Sequence, residues 1–583
     1  MENRDIARLL RETADLMEVA GEDPFRIRGY RRAAETIAGA EPAAALAADP
    51  AKLLALPGIG PKLAEAIQQI AATGALPLHD ELLHRYQPGM LQLLNVQGLG
   101  PKTIALIWER HGVATVDAVE ALARSGQLRG LPRWSEKKEA QILQAIATYR
   151  ALAGRFLRST AARAAAAVQA ELRAAYPHWR LEVAGSYRRG QETVGGLDLV
   201  VSTPPGAEPQ AVATAIELSG VAGVAERRSD FAAMEWAGGG AAGIPLPLRL
   251  WAVSADAFAA RWLQITGPAR HWNELQSRAA ARGLDLNDSG LSHQGAPNPA
   301  GEEERIYAAL DLPWIPPELR DRDGIVAAAA DRSLPQLIST GDLRADLHMH
   351  TVETDGRATI QEMAAAALAR GYQAIAITDH SQALAMARGL NEERALAHIR
   401  RIRAADREFA GRLRIFAGIE VDILGDGHLD LADAVLAEMD IVIASVHSRF
   451  DQSAEETTAR LLRAIGHGQV RILGHPTGRR LLRRPPYAMD FDRVAAACSQ
   501  AGVVMEINAS PERLDLNAEL ARRAAELGAR LAINTDAHHP DHLDFISHGI
   551  ATARRAGIGA DRVLNTLGPE ELLAALRPKP PRQ

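Results

Sequence analysis

Beyond Leu343 the chain alternates short apolar runs with longer stretches of helical period, and seven of the runs stop on a residue able to bind a metal ion. They close on Leu347-His348-Met349-His350, Ile377-Thr378-Asp379-His380, Gly418-Ile419-Glu420, Ser445-Val446-His447, Leu473-Gly474-His475, Val504-Met505-Glu506 and Asn534-Thr535-Asp536-Ala537-His538. This alternation predicts parallel strands whose C-terminal ends gather on one rim. Residues 343–583 are therefore expected to form a seven-stranded βα barrel, one unit short of the eightfold type.

His348 and His350, two apart on a strand, project to one side and can share an ion. Asp355 follows in the turn Thr354-Asp355-Gly356, while His380, Glu420, His447, His475, Asp536 and His538 arrive from successive strand ends. Nine nitrogen and oxygen ligands with no thiolate suit zinc, manganese or iron(II) better than magnesium alone. The set is large enough for two or three divalent ions. Taken singly, each histidine reads equally well as a satisfied core or surface residue. Asp379, Glu506 and His539 are candidate outer partners of the ligands, and Arg479 a candidate phosphate contact.

The first 150 residues have helical period and an internal repeat. Leu56-Pro57-Gly58-Ile59-Gly60-Pro61-Lys62 returns as Val96-Gln97-Gly98-Leu99-Gly100-Pro101-Lys102, each copy leading into an apolar helical stretch. This is the helix-hairpin-helix pattern. Its glycines let a turn approach a phosphate, the following helix offers free N–H groups, and the lysine adds charge, so Gly58, Gly60, Lys62, Gly98, Gly100 and Lys102 are expected to contact the DNA backbone. A plain glycine turn between packed helices is the competing reading. A third copy, from Gly130 to Lys137, lacks the glycine pair.

Composition narrows the field. A chain of 583 residues is too long for one core. The single cysteine, Cys498, excludes a disulfide framework and a thiolate zinc site. No apolar run is long enough to span a membrane and the N-terminus lacks a secretory pattern, so a cytoplasmic monomer is expected. The net charge of -6 argues against a uniformly basic nucleic-acid binder but allows local basic surfaces. Five of the six lysines fall before residue 140, around the glycine turns.

The middle of the chain reads Ala184-Gly185-Ser186-Tyr187-Arg188-Arg189-Gly190-Gln191-Glu192-Thr193-Val194-Gly195-Gly196-Leu197-Asp198. With two hairpins upstream, this motif resembles the family-X DNA polymerases, specifically the bacterial and archaeal type with a C-terminal PHP (polymerase and histidinol phosphatase) domain. The resemblance spans nearly the whole chain. It implies a multidomain α+β and α/β protein: helical domain 1–85, helical fingers 86–150, nucleotidyltransferase-like palm 151–255, thumb 256–320, linker 321–342 and PHP (β/α)7 barrel 343–583. The tail from Arg577 to Gln583 is expected to be disordered. By the same resemblance Gly185, Ser186 and Arg189 contact an incoming deoxynucleoside triphosphate. In the barrel it groups His348, His350, Glu420 and Asp536 on one ion, and Asp355, His380 and His538 on a second. His447 and His475 take a third, bridged by Glu420.

This chain departs from the family in the palm. Nucleotidyl transfer needs carboxylates to hold two magnesium ions. The family's Gly-Asp-x-Asp is here Gly195-Gly196-Leu197-Asp198, and the later palm carboxylate aligns with Arg249 in Leu248-Arg249-Leu250-Trp251. Asp198 is the one catalytic carboxylate left. Gln264-Ile265 replaces an aromatic pair ahead of Thr266-Gly267, and Trp272 stands near a nucleotide-contacting asparagine. The family's lyase lysine falls on Ala66. A palm that folds and binds DNA or nucleotide, holds magnesium poorly and polymerises weakly or not at all is expected.

The expected function is DNA repair by 3'-5' exonuclease action of the barrel on gapped or nicked DNA, resting chiefly on His348, Glu420 and Asp536. One alternative is an active gap-filling polymerase, which would need Glu182 or Asp230 beside Asp198. Others are a small-molecule phosphatase of the PHP class and a DNA-binding scaffold with vestigial metal sites.

Overall fold

The computed structural model describes residues 3–38, 49–87, 89–132, 134–202, 223–227, 232–236, 246–298 and 301–576. Asp230, Arg133 and the tail from Arg577 lie outside the described residues. These residues fall into two compact units, one within 1–155 and the other from Phe156 onward. No described helix is long and apolar enough to cross a membrane.

The first unit is all-helical. Proline starts the helices Pro50–Ala55, Pro61–Thr73, Pro77–Tyr86 and Pro101–His111, where its missing N–H costs nothing and its fixed φ suits the first turn. Gly58 and Gly98 turn the chain with φ of 80° and 86°, and Gly60 and Gly100 precede the two hairpin prolines. Two apolar clusters form its core, one around Ile6, Leu10, Ile67 and Ile70 and the other around Leu93, Ile104, Ile107 and Val119.

The second unit opens with a pair of short strands, β1 Phe156–Leu157 and β3 Thr193–Val194. The palm sheet is built from β2 Arg180–Ala184, β4 Leu197–Ser202, β5 Gly223–Arg227, β6 Ala232–Trp236 and β7 Leu246–Val253, in the order β2-β4-β7-β6-β5. A three-stranded meander of β8 Leu284–Asn287, β9 Gly290–His293 and β10 Ala296–Asn298 packs with helices Phe258–Thr266 and Ala269–Ala280. The 321–342 stretch, expected as a plain linker, carries the helix Ile325–Ala330. Its Ile325, Val326 and Ala329 belong to the meander's apolar cluster, and Ile338 to the core of the C-terminal barrel.

That barrel is seven parallel strands in chain order: β11 Ala345–Asp346, β12 Ala374–Ile377, β13 Arg414–Asp422, β14 Ile441–Ser445, β15 Ile472–Leu473, β16 Val504–Asn508 and β17 Leu531–Asn534. Residues of β12, β14 and β16 are buried throughout, as expected for strands covered on both faces. The ring nearly closes: Met349 bridges Ala537, and the His350 N–H donates to the Ala537 carbonyl at 2.8 Å.

Candidate metal centre

The strand ends deliver the expected ligands to one place. His350, Asp355, His380 and His538 offer ligand atoms within 4.8 Å of one another, as do His348, His350 and Asp536, and His380, Glu420 and His447. Glu420 is the hub. Its carboxylate oxygens lie 3.4 Å from His348 Nε2, 3.6 Å from His350 Nε2, 2.8 Å from His380 Nδ1, 3.4 Å from His447 Nε2 and 2.9 Å from His475 Nε2. The grouping differs in detail from the one the resemblance implies: His350 is common to two clusters, and His380 joins His447.

These residues fit a cluster of divalent ions. His348 Nε2, His350 Nδ1, His380 Nδ1, His447 Nε2, His475 Nδ1 and Glu420 Oε2 are all buried without a hydrogen-bond partner. Buried polar atoms of this kind are rare unless something other than the chain satisfies them, and five imidazole nitrogens gathered with one carboxylate oxygen suit metal ligation.

Neighbouring groups aim several ligands. His348 donates through Nδ1 to Glu506 at 2.8 Å, which leaves Nε2 facing the centre. Glu506 also accepts from the His475 N–H at 2.7 Å and the Asn534 amide at 2.9 Å. His447 Nδ1 meets Asp422 at 3.3 Å, and His538 Nδ1 donates to the Asp536 carbonyl at 2.8 Å. Asn508 donates to Asp536 Oδ2 at 3.1 Å. Asp379 anchors the loop of Asp355 by accepting from the Thr351 N–H at 2.9 Å, from the hydroxyls of Thr351 and Thr354, and from His398 Nε2 at 2.8 Å. His539 is half-buried and pairs with Asp541 at 3.4 Å instead.

Asp346, Asp422, Asn508 and Arg513 went unread in the sequence. Asp422 was accessible through strand parity, since it sits two residues beyond Glu420 on the same face of β13. Arg513 stands 3.5 Å from Asp536 across a loop, with no periodic signal to mark it.

The electrostatics are those of a dense, buried charge cluster. Burial works to lower His380, but Glu420 and Asp355 overcome it and lift the imidazole to about 10. Burial likewise opposes His348, which Glu506, Glu420 and Asp536 raise well above its ordinary value. His350, buried and beside His538 and His380, falls to about 4.

The palm presents the opposite picture. Register places Asp198 beside Arg249 on the parallel pair β4–β7, and the guanidinium grips the carboxylate with Nε at 2.8 Å from Oδ1 and a terminal nitrogen at 2.9 Å from Oδ2. Trp251 Nε1 donates to the same carboxylate at 3.2 Å. Burial pushes the Asp198 carboxyl up, against the pull of Arg249. A Cβ on Gly196 would stand 2.7 Å from the Pro247 carbonyl oxygen, so β7 fills the space of the missing first carboxylate. Glu182 lies on β2 opposite Val200, one strand repeat from the Ala184–Asp198 pair.

Of the expected nucleotide contacts, Arg189 has its side chain engaged within the protein. A Cβ on Gly185 would meet Asp198 Oδ2, and Ser186 lies in the single turn Gly185–Arg188. Arg189 donates to Asp321 at 3.0 Å and to the Thr266 carbonyl. Trp272 is buried in the meander's core. Arg479, read as a phosphate contact, instead forms a two-pronged pair with Glu192 of the palm motif at 3.0 and 2.6 Å.

In the helical unit, Gly58, Gly60, Lys62, Gly98, Gly100 and Lys102 are all exposed. No protein atom lies within 4 Å of a Cβ built on Gly60 or Gly100, so these turns are open to an outside partner. Ala66 is buried in its helix.

Known proteins place these parts. Residues 1–76 match the helix-hairpin-helix domain, 90–148 the SAM-like helix-hairpin-helix tandem, 155–226 the DNA polymerase beta palm, 261–321 the DNA polymerase beta thumb and 346–510 the PHP domain. A Bacillus subtilis (strain 168) protein named DNA polymerase/3'-5' exonuclease PolX is 34% identical over 583 residues, covering 99% of this chain and 100% of that protein. A "probable phosphatase" of Thermoanaerobacter sp. (strain X514) is 32% identical over 232 residues, 38% of this chain and 89% of its own length. Another from Syntrophotalea carbinolica is 28% identical over 240 residues, 39% of this chain and 94% of its own length. From its helical hairpins to its barrel, the chain belongs to the family-X DNA polymerases with a C-terminal PHP domain.

Proposed function

We propose that this protein is a DNA repair enzyme whose main catalytic centre is the barrel, acting as a metal-dependent 3'-5' exonuclease on gapped or nicked DNA, while the palm and hairpins hold the substrate. One contrast carries the reading: nine candidate ligands, Glu420 among them, gather on the barrel rim, whereas the single palm carboxylate, Asp198, is held by Arg249. The name of the Bacillus subtilis relative supports the exonuclease assignment.

Two or three ions, of manganese, zinc or iron(II), supply Lewis acidity and a nucleophilic water near neutral pH when bound. His348, His350, Glu420 and Asp536 would hold one, Asp355, His380 and His538 a second, and His447 and His475 a third. The chain's own contribution is orientation. Glu506 and Asp422 fix the rings of His348 and His447, and Asn508 holds one oxygen of Asp536 so that the other faces His350 at 3.1 Å. Lys62 and Lys102, with the open glycine turns, meet DNA phosphates. The protein acts in the cytoplasm as a monomer, and Gly185, Ser186 and Arg189 bind a deoxynucleoside triphosphate weakly if at all.

His348→Ala and Asp536→Ala are expected to abolish trimming of a 5'-labelled primer, and unchanged trimming would sink the proposal. Primer extension should be weak or absent with magnesium or manganese and insensitive to Asp198→Ala. The "probable phosphatase" names attach to proteins matched over the barrel alone, so a small phosphate ester is the competing substrate. Competition between such an ester and an oligonucleotide separates the two.

A further inference from the structure

The barrel rim has two unlike sides. Five large apolar side chains are exposed among the described residues, and three of them, Val352, Met386 and Leu424, lie on the loops that follow β11, β12 and β13. Met386 stands on a short helical turn with 97% of its surface exposed. Folding gains nothing from leaving these groups in water.

Loops after β14, β15 and β16 carry the opposite chemistry. Arg449 is exposed two residues beyond the ligand His447. Behind His475 the chain makes a tight excursion in which Arg480 bridges to Arg484. Arg484 donates to the Gly478 carbonyl at 2.9 Å and stacks on Phe450 at 3.8 Å, an arrangement that leaves its charge without an acidic counterpart among those contacts. Arg480 and Arg483 share one carboxylate, Glu512, with Arg483 as far as 3.9 Å from it. Arg513, on the loop after β16, completes the group beside the ligand Asp536. Arg480 and Arg483 thus share one carboxylate, Glu512, while Arg484 and Arg513 feel the buried Asp515, so these loops carry more guanidinium groups than carboxylates. On the β11–β13 side Arg388 and Arg394 are the comparable guanidinium groups, and they too donate to backbone carbonyls, those of Thr354, Gly389 and Glu353.

Strand order places the apolar loops together and the basic loops together, with the ligand cluster between them. We propose that this two-sided rim seats one polynucleotide strand. Its phosphates run along the arginine loops and the base of its 3'-terminal nucleotide rests on Met386 and its apolar neighbours. The rim thereby selects a polymeric phosphodiester over a small phosphate ester. Guanidinium groups suit a row of phosphates, and an apolar side chain accepts any base face, so the seat is indifferent to sequence. The inference rests on the exonuclease reading above.

The test uses the full-length protein, a single-stranded oligonucleotide and bis(p-nitrophenyl) phosphate. The double variant Arg480→Gln/Arg483→Gln alters only exposed or half-exposed side chains, and melting curves verify its fold. Its kcat/KM on the oligonucleotide should fall about tenfold relative to that on the small ester, and its salt dependence should flatten by about 1.4 logarithmic units, two single-strand phosphate contacts. Met386→Ser should raise KM for an oligonucleotide with a 3'-terminal base and leave KM unchanged when that nucleotide is abasic. Because the hairpins are the same in every variant, their contribution cancels. A wild type that cuts the oligonucleotide while both variants match it overturns this inference alone. A wild type that hydrolyses the small ester and leaves the oligonucleotide whole overturns the exonuclease reading as well.

Discussion

At Gly196 the palm has lost more than a carboxylate. With the Pro247 carbonyl 2.7 Å from where a Cβ would stand, and the Pro247 Cβ at 3.3 Å, an aspartate restored there must displace β7. Gly196→Asp is expected to lower stability by about 1–3 kcal/mol, read by denaturant unfolding, and to leave primer extension no better. A gain of extension from that single change would show that the palm is only one residue from activity. Glu506 is a residue of the opposite kind, buried, touching no solvent and holding His348 and His475 in place. Glu506→Gln should reduce metal affinity and nuclease turnover by about 10–100-fold while the protein remains folded, measured by metal titration beside the nuclease assay. Such ligand partners were partly legible in the sequence. Glu506 ends an apolar run as the candidate ligands do, and Asp422 and Asn508 share the pleats of Glu420 and Glu506, whereas Arg513 lies on a loop with no spacing to mark it.

Between elements, the palm motif is bolted to the barrel by polar contacts that no periodicity encodes. Glu192 and Arg479 are 287 positions apart, and Arg158 reaches His548 at 3.0 Å across 390. Read from the sequence, Arg479 was a candidate phosphate contact and Glu192 carried no assignment. Only the arginine was singled out, and its pairing depends on where the folded domains come to rest. Burial, with Arg158 beside it, holds the His548 imidazole down to about 3. An unfolded histidine takes a proton near 6.5, so the unfolded chain binds more protons than the folded one between those values. This contribution is complete above pH 6.5 and is lost progressively as pH falls toward 3, at up to about 1.4 kcal/mol per unit. His548→Gln should flatten the pH dependence of the melting temperature over that window, and an unaltered profile would remove His548 from the account. The elements themselves were easier to read. Hairpin glycines, N1 prolines and apolar strand runs are local signals, and they placed the hairpins and the seven barrel strands. The helix Ile325–Ala330 was missed because an alanine-rich stretch of six residues takes its stability from the apolar cluster it joins.

Across the whole molecule, the grip on duplex DNA is proposed for the hairpins and hydrolysis for the barrel, and the two should come apart in experiment. Lys62→Glu combined with Lys102→Glu is expected to weaken duplex binding and reduce its salt slope by about 2, with hydrolysis of a small phosphate ester unchanged. Removing divalent ions with a chelator should do the reverse, abolishing hydrolysis while gel-shift binding to duplex persists. The barrel's near-closure gives the ions a second consequence. Its first and last strands meet at Met349 and Ala537, and the side chains flanking that meeting point, His350 and Asp536, are proposed ligands that approach to 3.1 Å. An ion held by both is a rivet across the seam of a ring, so losing it removes a fastening as well as a reagent. Amide hydrogens of residues 346–350 and 534–538 should therefore exchange faster in chelator than those of the central strands, and proteases should find the ring's seam before any other part of its wall.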